Sequence, residues 1–590
     1  MTVLPPGDGR CTQSKLDVAS QELYNHLSKI QVGNDAEKNQ QTSLFAIPKI
    51  EILHAAPISH ISTTCCNTTN IGEGGNEDYS GVITFQEGEA YRSKCTFQIS
   101  HRSSLPKTVD DDNNIRVCNG NNDFIYVTRE NGTIHPLSGG IFPPANIRIR
   151  RAMVDFMNCI NRRTRKEEKC NNMNVEDKGT YVLENLRRNL TSITFVTSWG
   201  GGLSQQSQPS STISSNISPG EYGGDCLVTL HYGPPGLPKD DTMLLQSWKS
   251  EAKLICDQCH FTLLTGRSKG IKISLEGSSS CNHYESKDIV AAIHEEGIIH
   301  DNLWLTMSKV SCDGGTRKDM IEVEKVSLVP PHTQIDDNNE HQQHICIQYQ
   351  KPATAFQHPN AFVMLTSLHW ILNVLSKIRP TAASDADATI KPRMLEMYCG
   401  CGAHTMPLAK STLLSEIIAV ELDERLVSAC RNNCRLNNCL KSDDDDDDEH
   451  GVKSNLSTDD IGTLVQVFKG DASEWAAKTL RRQYKEQTSS NRSGSATDDD
   501  GYNNFDILLV DPPRDGLSSM VCDMAIKGTF THVIYVSCGR RALLRDLTTL
   551  CSSDINGGFD VDHLAVIDLF PGTDAVETLV HLRRRRKFSV

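Results

Sequence analysis

"THVIYVSCGRRALLRDL", Thr531 to Leu547, joins two different patterns. Val533 to Val536 form an apolar run of the length of a buried strand, and Ala542, Leu543 and Leu547 then recur at helical spacing. Ser537 and Cys538 therefore stand at a strand-to-helix turn, which in a parallel sheet is the edge where ligands bind. The same grammar runs through the C-terminal part of the chain. A long amphipathic helix, Ala361 to Ile378, precedes "MLEMYCGCGAHTMPLA", "EIIAVELDERLVSACRNNCRLN", "LVQVFKGDASEWAAKTL", "FDILLVDPPRDGL" and "HLAVIDLFPGTDAVETLVHL". Short apolar strands alternating with helices predict a doubly wound, Rossmann-like α/β sheet over residues 346–590. Acidic and Ser-rich stretches near 441–460 and 487–502 interrupt it as loops, which is tolerable because loop-closure entropy grows slowly with length.

Upstream the pattern changes. "YRSKCTFQIS", "DFIYVTREN", "SITFVTSW", "CLVTLHYG" and "GIKISLEG" alternate as antiparallel strand candidates, with helical spacing at Ile147 to Asn161 and Leu244 to Ile255. Residues 81–345 read as an α+β domain, interrupted by the polar loop "SQQSQPSSTISSNISPGEYGG". Residues 1–80, rich in Ser, Thr, Asn and Gly, read as a largely disordered lead with one helix near Leu23 to Ile30.

The chain has 590 residues, 38% of them hydrophobic, and a net charge of −14. Three tracts, Asp110 to Asp112, Asp443 to Glu449 and Asp498 to Asp500, hold thirteen acids, and without them the charge is about −1. Basic islands at Arg148, Arg150 and Arg151, at "NRRTRKEEK" from Asn161 and at "RRRRK" from Arg583 to Lys587 are compatible with a phosphate-bearing partner; the last also reads as a nuclear address. Twenty-one cysteines, an odd number at irregular spacing, suit reduced thiols. Cys256 and Cys259 form the one CxxC, without a second pair at zinc spacing, so neither a metal nor an iron–sulfur cluster is expected. The N-terminus lacks the pattern of a secretory or transit peptide and the longest apolar stretch is too short for a bilayer. The expectation is a soluble intracellular chain without a membrane or obligate protein partner, a monomer, cytoplasmic or nuclear with an organelle left open.

Four groups carry chemistry. Gly400 and Gly402, after the strand "RMLEMY", let a ligand approach backbone beside a helix start. Glu421 ends the next strand 19 residues on, where a carboxylate holds both hydroxyls of a ribose. Asp511-Pro512-Pro513-Arg514 stops "FDILLV" rigidly at the sheet edge. Cys538, with Arg540 and Arg541 at a helix start, is in a setting that favours thiolate.

Together these residues resemble the S-adenosylmethionine-dependent RNA (uracil-5-)-methyltransferases, closest to the tRNA T-loop enzymes. "LEMYCGCGAHTMPLA", "AVELDERLVSACRNN", "DPPRDGL", "YVSC" with "LLRDL", and "DLFPGTDAVETLV" carry the resemblance in family order; "AYRSKCTFQI", "IFPPANIRIRRAM" and "TAFQHPNA" extend it upstream. The resemblance implies a class I methyltransferase domain behind an RNA-binding α+β domain, S-adenosylmethionine as cofactor, and methylation of carbon-5 of a uridine, the T-loop uridine of tRNA, through a covalent cysteine adduct. It assigns Cys538 as nucleophile and Glu577 as general base. Tyr398, Gly400, Gly402, Glu421, Asp511 and His358 or Gln357 fall at cofactor positions, and Phe356 and Arg514 at the target base. The chain departs from the family at Ala403, where a polar residue is usual, and at Gly539-Arg540, where Asn-Pro is usual.

Amino-methylation of adenine or guanine uses an aromatic residue after Asp-Pro-Pro and needs no nucleophile, so Arg514, Cys538 and Glu577 argue against it. RNA cytosine-5 methyltransferases commonly place a cysteine directly after a proline near that motif, whereas Cys538 follows Ser537. Two readings stay open beside the tRNA enzyme: the same chemistry on ribosomal RNA, and a non-catalytic tRNA-binding or folding module.

Overall fold

The structure is a computed structural model of the chain. It describes residues 10–38, 47–53, 92–101, 124–130, 133–136, 145–170, 183–199, 224–234, 242–268, 271–276, 297–310, 320–328, 342–353, 355–356, 358, 360–378, 391–441, 463–489, 505–552, 558–570 and 574–585. The acidic tracts, Gln357 and the polar loop after Trp199 lie outside the described residues. The chain divides into two compact units, one of residues 1–56, 302–351 and 355–590, the other of residues 57–301 and 352–354.

The first unit begins with helix α1 (Arg10–Lys38) and strand β1 (Ile50–Leu53). The second holds β2 (Lys94–His101), β3 (Phe124–Glu130), β4 (Thr133–Pro136), α2 (Ile147–Cys170), α3 (Glu184–Arg187), β5 (Leu190–Thr197), β6 (Cys226–Tyr232), α4 (Thr242–Cys259), β7 (Leu263–Ser268) and β8 (Ile271–Glu276). Its strands form one sheet in the order β4-β3-β2-β5-β6-β7-β8. Alternate strand residues such as Cys95, Phe97 and Ile99 bury against Ile149, Met153 and Phe156 of α2 and Trp248 and Ile255 of α4, so the α+β expectation describes this sheet. One pairing differs: β6 and β7 run parallel, because α4 provides the crossover that such a pair requires. The first basic island is also partly internal. Arg148 is fully buried, donating to the carbonyls of Gly224 and His260, and Arg150 is buried as well.

The chain then runs through β9 (Ile298–Val310), β10 (Met320–Ser327), β11 (Gln342–Pro352), α5 (Ala361–Lys377), β12 (Arg393–Met397), α6 (Thr405–Lys410), β13 (Glu416–Glu421), α7 (Glu424–Leu436), β14 (Leu464–Lys469), α8 (Ala472–Ser489), β15 (Ile507–Val510), α9 (Ser519–Lys527), β16 (His532–Ser537), α10 (Arg540–Ser552), β17 (Phe559–Asp568) and β18 (Val576–Arg584). The main sheet of the first unit has the order β1-β17-β18-β16-β15-β12-β13-β14. β15 and β16 are buried along their whole lengths, as central strands covered on both faces must be. β12 pairs parallel with β13 and β15, and β15 with β16, so the order reverses between β12 and β15. The predicted doubly wound sheet is present, with β18 inserted antiparallel between β16 and β17.

Two boundaries differ from the reading of the sequence. Residues 302–345 group with the α/β sheet rather than with the α+β unit. The lead expected to be largely disordered contributes α1, whose Leu23 and Leu27 enter the core of the main sheet and whose Leu16 packs on Val566 and Val576. β1 adds a parallel edge strand to β17. Spaced four and seven residues apart, Leu16, Leu23 and Leu27 form an apolar stripe too sparse to stand out in a polar sequence. Among the described residues no helix is long and apolar enough to cross a membrane.

Candidate active site

The parallel strands deliver their carboxyl ends to one edge. Met397 of β12 is in register with Val420 of β13 and Val510 of β15, so Tyr398, Glu421 and Asp511 follow side by side. Ser537 of β16 pairs with Thr578 of β18, so the next step along the edge sets Cys538 opposite Glu577. Residues 179 positions or fewer apart in the chain are thus gathered by strand register alone.

Around Tyr398 the backbone leaves ordinary conformations. Tyr398 has φ 65°, Gly400 58° and Gly402 88°; for tyrosine this is the costly left-handed region, the kind of strain found at ligand sites. A side chain on Gly400 would meet nothing within 4 Å, so the backbone faces open space, whereas one on Gly402 would lie 3.0 Å from Cys430 Sγ. The Glu421 carboxylate accepts from the Gly400 N–H at 3.0 Å and from the Leu422 and Asp423 N–H groups at 2.8 and 2.9 Å. It therefore clamps the glycine loop as well as facing the edge. Asn433 of α7 fastens the loop from behind, donating to Cys401 O at 2.9 Å and accepting from Gln350 N at 2.7 Å.

Across the reversal point lie two neutral imidazoles. Burial pushes His358 and His404 down to about 4. His404 Nδ1 is 3.9 Å from Asp511 Oδ2. Sequence reasoning missed His404, which stands one residue after Ala403. His358 Nδ1 also lies 2.8 Å from Asn360 O, at the start of α5.

Beside these stand the sulfur and the carboxyls. Burial pushes the Asp511 carboxyl up to about 7, and burial with repulsion from Asp511 holds Glu577 well above the usual carboxyl range. Cys538 is pushed up to about 11 by burial and then by Glu577 and Asp511, against the opposing pull of Arg514, which also hydrogen-bonds to it. The expectation that Arg540 and Arg541 would create a thiolate fails: Arg540 turns away to Glu22 of α1 at 3.2 Å, and Arg514 is the cation that reaches the sulfur. Gly539 makes this possible by size rather than by unusual backbone, since a side chain there would sit 2.2 Å from the Arg514 carbonyl oxygen. Asp546, also missed, pins the same loop from α10. It accepts from Leu517 N–H and Tyr535 O–H at 2.8 Å each. Phe356 is 75% exposed, a large ring presented to solvent.

Residues 309–441 and 473–585 match the family model described as tRNA (Uracil-5-)-methyltransferase. They contain all ten described residues that the sequence singles out, from Phe356 to Glu577. Similar curated proteins include the tRNA/tmRNA (uracil-C(5))-methyltransferases of Pseudoalteromonas atlantica, 28% identical over 39% of this chain and 49% of that protein, and of Azotobacter vinelandii, 29% identical over 40% and 52%. The chain spans about half the length of these relatives. The Pyrococcus abyssi tRNA (uracil-54, C5)-methyltransferase, solved with S-adenosyl-L-homocysteine, is 13% identical with a TM-score of 0.38 over 84% of this chain and 76% of that one.

Proposed function

We propose that the chain is a methyltransferase acting on carbon-5 of a uridine in RNA, with the T-loop uridine of tRNA as substrate. The observation that carries the proposal is the facing of Cys538 and Glu577 across β16 and β18, with Arg514 and Asp511 beside them. Carbon-5 of uracil is a weak nucleophile, and adding sulfur to carbon-6 turns the ring into an enolate with electron density at carbon-5.

The residues fit S-adenosylmethionine: open space before Gly400, a carboxylate at Glu421, and Asp511 and His404 across the reversal point. When bound, this cofactor supplies an electrophilic methyl group. Tyr398, Gly400, Gly402 and Glu421 would hold it, with His358 and His404 contributing uncharged hydrogen-bonding groups beside a cationic ligand.

The Cys538 thiol must lose its proton before it attacks. Arg514 is the group that stabilises the thiolate, and Asp511, raised to about 7, is a proton acceptor working near neutral pH, which leaves Glu577 for the later step. The sulfur then bonds to carbon-6. After methylation Glu577 removes the proton on carbon-5; that electron pair closes the ring double bond and expels the sulfur. Phe356 offers a stacking surface to the base once it has left its helix. The unit of residues 57–301 would carry the RNA-binding surface.

The test uses T-loop RNA tritiated at carbon-5 of the target uridine. Wild-type protein should release tritium, Cys538→Ala should form no adduct, and Glu577→Gln should accumulate an adduct that survives denaturation. Retention of tritium during methylation would sink the mechanism, and methylation of ribosomal RNA alone would move the substrate.

A further inference from the structure

At the opposite end of β16 from Cys538 a second polar cluster is built into the sheet. Strand β17 bulges between Val561 and His563, and the bulge brings both Asp562 and His563 against His581 of β18. Three atoms face one another: Asp562 Oδ2 is 3.0 Å from His563 Nδ1 and 3.3 Å from His581 Nδ1, and the two nitrogens are 3.3 Å apart. The remaining nitrogen of His581, Nε2, meets His532 Nδ1 at 2.9 Å.

We propose that Asp562, His563 and His581 form a binding site for a divalent transition metal of the zinc class. The nearly equilateral triangle of donors matches one face of a tetrahedron. With metal–ligand bonds of about 2.0–2.1 Å, neighbouring ligand atoms lie roughly 3.3 Å apart. One cation satisfies three converging lone pairs together, and the fourth position is left for water. The donor set, two imidazoles and a carboxylate, suits zinc, cobalt or nickel rather than magnesium. The outer contacts also fit. A metal on His581 Nδ1 requires its proton on Nε2, where His532 Nδ1 is positioned to accept it, and such partners orient ligating histidines. Arg583 lies 3.3 Å from Asp562 Oδ1, fixing the carboxylate while weakening cation binding by like charge.

The spacing escaped the sequence because the ligands come from two strands and one of them reaches the site through a bulge. A bound ion would tie β17 to β18 and, through His532, to β16. β18 carries Glu577 and Cys538 directly follows β16, so the ion would fix the register on which the candidate active site depends. His581 is in register with Ile534, four residues from Cys538 along the strand direction, about 13 Å at the rise of a strand.

The full-length chain, stripped with EDTA and kept reduced, is titrated with Co2+ and then Zn2+. One Co2+ per chain should give the visible absorption of a tetrahedral nitrogen and oxygen site, without a thiolate charge-transfer band, and one Zn2+ should displace it. His563→Ala and, as a second variant of unchanged shape, Asp562→Asn should each weaken binding by more than about 100-fold, beyond the loss typical of outer-shell changes. Arg583→Gln should strengthen it. No uptake by the folded wild-type chain would overturn the site and leave a hydrogen-bonded cluster. A thiolate signature that persists in His563→Ala would place the metal on cysteine and overturn it equally.

Discussion

At Asp511 burial pushes the carboxyl up to about 7 from an ordinary value near 3.8, and this gives two measurable consequences. The folded state holds this proton more tightly than the unfolded state, so the contribution of Asp511 to stability is greatest at low pH and declines as pH rises from about 3.8 through 7. Asp511→Asn removes that decline, and its gain in Tm should be larger at pH 8 than at pH 5 by scanning calorimetry. The same change removes a negative charge that raises both Cys538 and Glu577. The acid limb of the single-turnover pH profile should therefore move to lower pH, even though weaker cofactor binding lowers the rate. Gly539 gives a second expectation from a single atom. Gly539→Ala drives a methyl into the Arg514 backbone, displacing the guanidinium from the sulfur. Misplacement of this size should cost about 100-fold in turnover, with a loss of stability of roughly 1–3 kcal/mol from overpacking, read by single-turnover rates and denaturant melts.

At the scale of elements, "RRRRK" shows where sequence reading stops. Four arginines in a row read as a phosphate contact or a nuclear address, yet Arg584 points inward. It donates to the carbonyls of Ala525, Ile526, Gly528 and Phe530 and lies 4.5 Å from the Phe559 ring centre, capping the C-terminus of α9. Arg585 likewise turns to Asp560, Cys551 and Phe559. Arg584→Ala should cost on the order of 2–4 kcal/mol, the loss of several charged hydrogen bonds, and should leave the salt dependence of RNA binding unchanged. A phosphate contact would lower that slope by about one. Lysine should rescue poorly, since one ammonium cannot replace a planar fork. The contrast with "FDILLV" and "THVIYVSC" is physical. Those strands are buried on both faces, so continuous apolar runs announce them and their register then assembles the edge. A charged side chain carries no mark in the sequence of whether it caps a helix or meets solvent. His404 and Asp546 were hidden for the same reason, because their roles come from partners far along the chain.

At the scale of the molecule, the N-terminal helix decides what a folded catalytic unit requires. Leu23 and Leu27 of α1 sit in the same cluster as Leu543 and Leu547 of α10, and Leu16 closes over Val566 and Val576. Lys15 bonds to Asp568 and to the carbonyls of Phe570 and Ala575, spanning the connection that leads into β18 and Glu577. His26 meets Thr548 of α10 at 2.8 Å, and Glu22 holds Arg540. At about 1.5–3 kcal/mol for each buried leucine, these three side chains alone contribute roughly 5–9 kcal/mol, the order of a whole domain's stability. A chain starting at residue 47 should therefore unfold or aggregate even though every strand of the doubly wound sheet from β12 onward is retained. Leu23→Ala in the full-length chain is the graded version. Its cavity should cost about 2–5 kcal/mol and lower Tm by at least 4 °C at roughly 2–4 °C per kcal/mol. It should also reduce methylation more steeply with temperature than in the wild type, because α10 begins two residues after Cys538 and loses its support first. Calorimetry and rates measured from 20 to 45 °C separate the outcomes: an unchanged Tm would show that α1 is dispensable, and a lowered Tm with an unchanged temperature profile would confine its effect to the far face of the sheet.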